Sequence, residues 1–240
     1  MKKGISILLL IAAVLSLASC GSGTAAPQQT AQPTPEPASV TAAPAEPMTE
    51  EAPAATEEST ESKALVIYFA VAENAGVVDA VTSASINPDS DPVHGYTRTV
   101  ADWAADYLGA DTFSVQTVFD YPTEYQPTTD IALTEQRNNE RPELETEIEN
   151  LDAYDTVVIV APVWWGDIPM AMYTLFDSYD FSGKDLVVFI THYGSRFGRC
   201  VQTIQTLEPD AAVVEGLAIN QTQVAGAQND VIARLQELGY

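Results

Sequence analysis

The sequence predicts an α/β fold: an open, five-stranded parallel sheet of strand order 2-1-3-4-5, with helices on both faces. Three observations carry this expectation. The runs "ALVIYFA" (64–70), "TVVIVAP" (156–162) and "DLVVFITH" (185–192) are apolar nearly throughout and rich in β-branched residues, as inner strands covered on both faces are. Segments of helical period alternate with the strand-like runs, which is the pattern of βαβ units. The run "TFSVQTV" (112–118) instead alternates Phe113 and Val115 with polar residues, which suits a half-exposed strand at the sheet edge.

Taken in order, Ala64 to Ala70 form the first strand. In "YTRTVADWAADYLG", Val100, Trp103, Ala104, Tyr107 and Leu108 are spaced i, i+3, i+4, i+7 and i+8, and Gly109 stops the helix. Thr112 to Val118 make the second strand, and Leu144, Ile148 and Leu151 mark a second helix begun after Pro142. The third strand (156–162) leads to a helix over Met170–Ser178, and the fourth (185–192) to one over Arg199–Leu207. "AAVVEGLAI" (211–219) is the fifth strand, and Val224, Ala227, Val231, Leu235 and Leu238 mark the last helix. Right-handed crossovers then leave few topologies.

Ahead of this domain, "MKKGISILLLIAAVLSLASC" has a basic start at Lys2 and Lys3, a short apolar stretch from Ile5 to Val14, and small residues before Cys20. That is the layout of a signal peptide, too short to span a bilayer comfortably. Leu17-Ala18-Ser19-Cys20 resembles a bacterial lipobox, which implies cleavage before Cys20 and lipid on its thiol; an ordinary signal peptide or an uncleaved anchor are the other readings. Residues 20–62 read as a disordered tether dominated by Ala, Pro, Thr, Ser, Gln and Glu, without an aromatic, Lys or Arg residue. Such a segment buries too little apolar surface to offset its ordering entropy, and its prolines keep it extended. The organisation expected is therefore signal peptide 1–19, tether 20–62 and folded domain 63–240, lipid-anchored and extracytoplasmic.

The formal charge is −24. Removing the seven Glu of the tether together with Lys2 and Lys3 leaves −19 on the domain. This argues against nucleic acid as a partner and against anionic lipid beyond the anchor; it suits solubility and docking to a basic partner. Cys20 and Cys200 are the two cysteines. With Cys20 assigned to lipid, no intrachain disulfide or CxxC pair is expected, and the two His residues make no zinc cluster with them. A monomer is expected.

In an open parallel sheet, ligands bind beyond the carboxyl ends of the strands, where the strand order reverses. "PVWWGDIP" (162–169) follows the third strand and "THYGSRFG" (191–198) the fourth. The two histidines, His94 and His192, both fall in such loops, and Tyr96, Trp164, Trp165, Tyr193 and Phe197 are expected to converge on one crevice. A flat aromatic ligand with polar edges would stack there, with loop amides on its edge.

The stretch Pro-Val-Trp-Trp-Gly-Asp-Ile-Pro, the following "YTLFDSYDFSGKDLVVFITHYGS", and "YPTEYQPTTDIALTEQRNNERPELETEIENLDAYD" before the third strand resemble the flavodoxin-like family, in particular its bacterial extracytoplasmic members. The resemblance covers about residues 64–239. It implies a non-covalent FMN, with the phosphate at the first loop and the isoalloxazine between the loops after strands three and four. Carried onto this chain, it implies Trp164 and Trp165 as stacking residues, with the backbone of Pro162, Val163, Gly166 and Asp167 lining the ring. His192, Tyr193, Gly194, Ser195 and Phe197 would form the opposing wall. One departure stands out. Short flavodoxins pass directly from strand one to a Ser/Thr- and Gly-rich phosphate loop, whereas here Ala70 is followed by an insertion before "HGYTRT". His94, Gly95, Tyr96 and Thr97 would supply the end of such a loop, and Arg98 a charge.

Each group also has a plainer reading. One tryptophan of the pair belongs to the core; His192 bonds a loop carbonyl; Arg196 and Arg199 pair with acids; Cys200 is a buried helix residue. "DAVTSAS" (79–85) in the insertion reads first as a polar loop; it also resembles the motif on which extracytoplasmic flavoproteins receive FMN through a phosphoester, here on Ser85, with Ser83 in place of the commoner Gly. No catalytic acid or metal ligand is assigned, because in flavin chemistry the cofactor reacts and the protein tunes it. The expected function is a membrane-tethered FMN redox protein, an electron carrier or an FMN-dependent oxidoreductase, serving a partner protein or small acceptor. The alternatives are a flavin-free binding or scaffold module and a reductase using NAD(P)H.

Overall fold

A computed structural model describes residues 63–75, 95–122 and 124–240. The expected signal peptide and tether, Cys20, Ser85 and His94 lie outside these residues. Among the described residues, β1 (Ala64–Tyr68), β2 (Asp111–Ser114), β3 (Thr156–Pro162), β4 (Asp185–His192) and β5 (Ala212–Asn220) form one all-parallel sheet of order β2-β1-β3-β4-β5. The expected fold and strand order are thus observed.

The apolar runs become inner strands because both their faces are covered. Successive side chains point to opposite faces, so Leu65, Ile67, Phe69, Val157, Ile159, Leu186 and Val188 enter one core and Val66, Tyr68, Val158, Val160, Val187 and Phe189 the other. The first core is closed by α1 (Val71–Asn74), α3 (Tyr125–Asn138), α4 (Met170–Ser178) and α5 (Cys200–Leu207), and the second by α2 (Tyr96–Leu108) and α6 (Gln228–Glu237). Gly109 ends α2 in the left-handed conformation, φ 61, with its N–H on the Ala105 carbonyl.

Three expectations need correction. No α-helix forms after Pro142; the chain instead runs extended beside the end of β2 and reaches only a 3-10 turn at Leu151–Ala153. Val118 N–H donates to the Glu143 carbonyl (2.9 Å), Glu145 N–H to that of Gln116 (2.8 Å), and Ile148 N–H to the Tyr179 hydroxyl (2.7 Å). Backbone groups committed to neighbours in this way cannot close helical turns, and Leu144, Ile148 and Leu151 reach the core without one. The helix on this connection is α3, which begins seventeen residues before Pro142. Its buried face is Thr128, Ala132 and Glu135. The second strand also ends earlier than expected, at Ser114, and the last helical segment is split into a 3-10 turn (Gln221–Gly226) and α6.

Candidate functional site

Three contacts gather the carboxyl ends of the central strands. At the end of β1, the Phe69 ring meets Trp164 edge-on, with centroids 5.3 Å apart. In the turn after β3, the Gly166 carbonyl accepts from Arg199 N–H (2.8 Å), tying this turn to the loop after β4. At the start of α2, the buried Thr97 hydroxyl meets that of Thr191 on β4 at 2.8 Å. Ala70, Gly95, Tyr96, Thr97, Pro162–Asp167 and His192–Phe197 are therefore elements of one end of the sheet, around the β1/β3 reversal.

The two tryptophans separate in role. Trp164 and Asp167 exchange backbone hydrogen bonds of 2.7 and 3.0 Å across Trp165 and Gly166, whose φ angles are +50 and +83. Positive φ at both central positions defines a type I′ turn. Glycine adopts it freely; a tryptophan does so at a cost of about 1–2 kcal/mol. Trp164 is half-buried on the core and packs edge-on against Phe69 and Tyr121. Trp165 is 51% exposed, and its indole N–H donates to the Thr129 carbonyl of α3 (2.8 Å). The turn thus holds a large aromatic ring in solvent at the crevice rim, in a backbone conformation that bulky side chains avoid.

Asp167 is committed to protein partners. Its carboxylate is buried and accepts from Ile168 N–H (2.9 Å) and the Tyr173 hydroxyl (3.1 Å), and it pairs with Arg199 at 3.2 Å. Beyond β4, Tyr193 is 71% exposed, Gly194 and Ser195 are exposed, and Phe197 packs partly on the core. His192 is buried, and its Nδ1 accepts from Gly194 N–H (2.8 Å). Burial pushes its pKa down, against a hydrogen bond to the Ala218 backbone, so the neutral imidazole serves as a brace for this loop. Gly198 has φ +54, and a Cβ there would lie 2.5 Å from the Gly166 carbonyl oxygen. The two loops approach this closely because no side chain stands between them.

At the first turn of α2, Gly95 is the N-cap and no side chain among the described residues caps the helix. The amides of Tyr96, Thr97 and Arg98 begin the helix and have no intrahelical acceptor. Tyr96 is half-buried against the second core. Arg98 is bound to Glu73 (2.5 Å) and Asp102 (3.6 Å), and Glu73 also accepts from the Ser114 hydroxyl and from that of Tyr68 (3.1 Å).

Further residues that shape the crevice are unmarked in the sequence. Asn74 is buried and spans the ends of β1 and β2: its amide donates to the carbonyls of Ala70 (2.9 Å) and Val115 (3.0 Å), and its oxygen accepts from Thr117 N–H (2.7 Å). Tyr121, wholly buried, packs against Phe69, Phe119 and Trp164, and its hydroxyl faces both oxygens of Glu135 at 3.0 and 3.1 Å. Asn74 lies six residues beyond the end of β1, at the end of the short α1, and nothing local flags it. Nothing local flags Tyr121 or Glu135.

A model of the flavodoxin family matches residues 92–234. Among solved structures, the chain is similar to a candidate flavoprotein from Bacteroides eggerthii, at 23% identity over 72% of this chain and 98% of that one, with a TM-score of 0.50. It is also similar to one from Bacteroides uniformis, at 21% identity over 73% and 98%, with a TM-score of 0.55. At these identities the likeness concerns the fold. No curated protein matches the sequence.

Proposed function

The chain belongs to the flavodoxin family, and from that premise we propose that it is an FMN-binding redox protein, tethered outside the cytoplasmic membrane, that passes electrons to a partner protein or a small acceptor. The observation that supports this most is the Trp164–Asp167 turn. A strained, exposed tryptophan is kept at the strand-order reversal where such folds take ligands. In a chain with no use for a planar ligand, that exposure and that φ angle are a cost set against a single indole hydrogen bond to the Thr129 carbonyl.

In this reading the uncapped amides of Tyr96, Thr97 and Arg98 hold the phosphate, where aligned helix dipoles favour an anion. Trp165 and Tyr193 offer ring faces, and the backbones of 163–166 and 193–197 offer polar groups to the edge of the ring system. When bound, FMN supplies one- or two-electron transfer. The loops exclude water from it and fix its orientation; no side chain here needs to act as a general acid.

A flavin-free binding module is the second reading. It is favoured by the commitment of Thr97 to Thr191 and of Arg98 to Glu73, which takes those two side chains away from a phosphate at this helix start and leaves it to the backbone amides there. Titration with FMN and with riboflavin separates the two. The first reading expects FMN to bind about tenfold more tightly or better; equal affinities sink the phosphate assignment, and no binding of either favours the module.

Tethering rests on the lipobox-like Cys20, and Cys20→Ser is expected to abolish lipid labelling. Covalent attachment at Ser85 is expected to show as an intact-mass increase of one FMN residue in the matured protein, lost in Ser85→Ala.

A further inference from the structure

Glu135 is an unusual residue to find inside a helix face. It is 5% exposed and sits on the buried side of α3, where an apolar residue would ordinarily pack. Its carboxylate has no cation on it among the described residues. Its hydrogen-bonding partner is the Tyr121 hydroxyl, which faces both carboxylate oxygens. Tyr121 in turn packs edge-on against Trp164, with centroids 5.2 Å apart, and against Phe69, which is the other ring on Trp164. Trp164 opens the turn that carries Trp165. A continuous chain of contacts therefore leads from one buried carboxyl to the crevice.

Resting on the FMN reading above, we infer that Glu135 is a positioning residue: through the Tyr121 hydroxyl it fixes the Trp164 ring, and with it the Trp164–Asp167 turn, so that flavin affinity follows the protonation state of this carboxyl.

The geometry gives the two states different mechanics. A tyrosine has one proton to donate. Facing two oxygens at nearly equal distance suits the carboxylate, which accepts it as a charge-assisted bond and holds the ring firmly. A protonated Glu135 has its own O–H to place, so the symmetric grip on Tyr121 is lost and the ring that backs Trp164 is held less tightly. Burial raises the carboxyl to about 7, Tyr121 opposing and Glu140 assisting that rise, so both states are populated near neutral pH. Protons have a route, because Glu135 lines a surface cavity of about 450 Å³ together with Phe119, Asp130, Glu140 and Arg141. The charged and titratable groups facing it are thus Tyr121, Asp130, Glu140 and Arg141. Arg141 is itself engaged by Asp177, which leaves the acids dominant around the carboxyl.

The test uses the full chain, in two measurements. The Trp164 indole N–H resonance of the flavin-free protein is followed from pH 5.5 to 8.5 and assigned with a Trp164→Phe variant. FMN dissociation constants are measured over the same range for the wild type, Glu135→Gln and Tyr121→Phe. Expected is a Trp164 titration with its midpoint near 7, absent in E135Q. FMN binding should weaken three- to tenfold from pH 8 to pH 6 in the wild type and change less than twofold in either variant. FMN bound with no titration of Trp164 overturns the inference and leaves the flavin reading intact. Tighter binding at low pH also overturns it, since that is the sign of plain charge repulsion. Persistence of the pH dependence in both variants does the same. A titrating Trp164 without FMN binding at any pH supports the Glu135–Trp164 link and removes the flavin reading instead. The resonance is read on the wild type, so a variant that fails to fold does not decide the matter.

Discussion

Replacing Gly198 by alanine probes the contact between the two crevice loops. Gly198 has φ +54, and its added Cβ would meet the Gly166 carbonyl oxygen at 2.5 Å and the carbonyl carbon at 3.0 Å. Both are backbone atoms, so no side chain can swing aside. The left-handed conformation alone costs an alanine about 1–2 kcal/mol. Reaching an ordinary contact of 3.4 Å also requires the loops to part by roughly 0.9 Å. That movement strains the Arg199 N–H bond to the Gly166 carbonyl, worth about 1 kcal/mol. The stability loss expected is therefore about 2–3 kcal/mol. FMN affinity should fall about tenfold, or about 1.4 kcal/mol, because the moved carbonyl belongs to the turn that presents Trp165. Gly109→Ala is the matched control: φ is +61, nothing lies within 4 Å of the added Cβ, and the site is the far end of α2. It should cost about 1–2 kcal/mol of stability and leave affinity unchanged. Thermal unfolding and FMN fluorescence titration on both variants supply the comparison. If G198A binds FMN as the wild type does and loses no more stability than G109A, the loops are not held by this contact and the reasoning fails.

Trp164→Ala should destabilise the fold by about 2–3 kcal/mol, just below the range for a fully buried aromatic, because the ring is only half-buried. Trp165→Ala should cost at most about 1 kcal/mol of stability, through the lost indole bond to the Thr129 carbonyl, while weakening FMN by about 1 kcal/mol; equal effects of the two on stability would contradict the division between them. For Glu135 the folded pKa, about 7, lies above the ordinary 4.5, so its contribution to stability is complete below pH 4.5 and lost as pH rises through 7. The full shift corresponds to about 3 kcal/mol, which water in the adjoining cavity screens to roughly 1–2 kcal/mol. Denaturant titrations at several pH values should therefore show E135Q gaining on the wild type between pH 4.5 and 7.5, and parallel profiles would refute this. Cys200 is fully buried, and burial pushes its thiol up to about 12; in a Cys20→Ser chain a thiol reagent should label it only after unfolding, and rapid labelling of the native protein would count against the packing described.

The sheet was legible in the sequence because inner parallel strands advertise themselves as unbroken apolar runs, and β1, β3 and β4 are such runs. The half-polar second strand correctly pointed to an edge. The connection between β2 and β3 is misleading in sequence for a physical reason. Helix α3 buries Thr128, Ala132 and Glu135, a face that hydrophobic periodicity cannot detect. Leu144, Ile148 and Leu151 imitate helical spacing while the backbone of this stretch, at Glu143, Glu145 and Ile148, bonds to Val118, Gln116 and the Tyr179 hydroxyl. The loops of the crevice followed from topology alone. The differing roles of Trp164 and Trp165 did not, because they depend on rings at positions 69 and 121 and on a positive φ. The Tyr121–Glu135 pair was invisible for the same reason as the helix that carries half of it.

The measurement that bears most directly on the flavin reading is the visible absorption spectrum of the purified chain after mixing with FMN and gel filtration. One flavin per chain should co-elute with the protein, with its fluorescence quenched against the loop aromatics. FMN that elutes apart from the protein, with its fluorescence unchanged at every concentration tried, would contradict that reading and leave the chain a flavodoxin-fold module that serves without flavin.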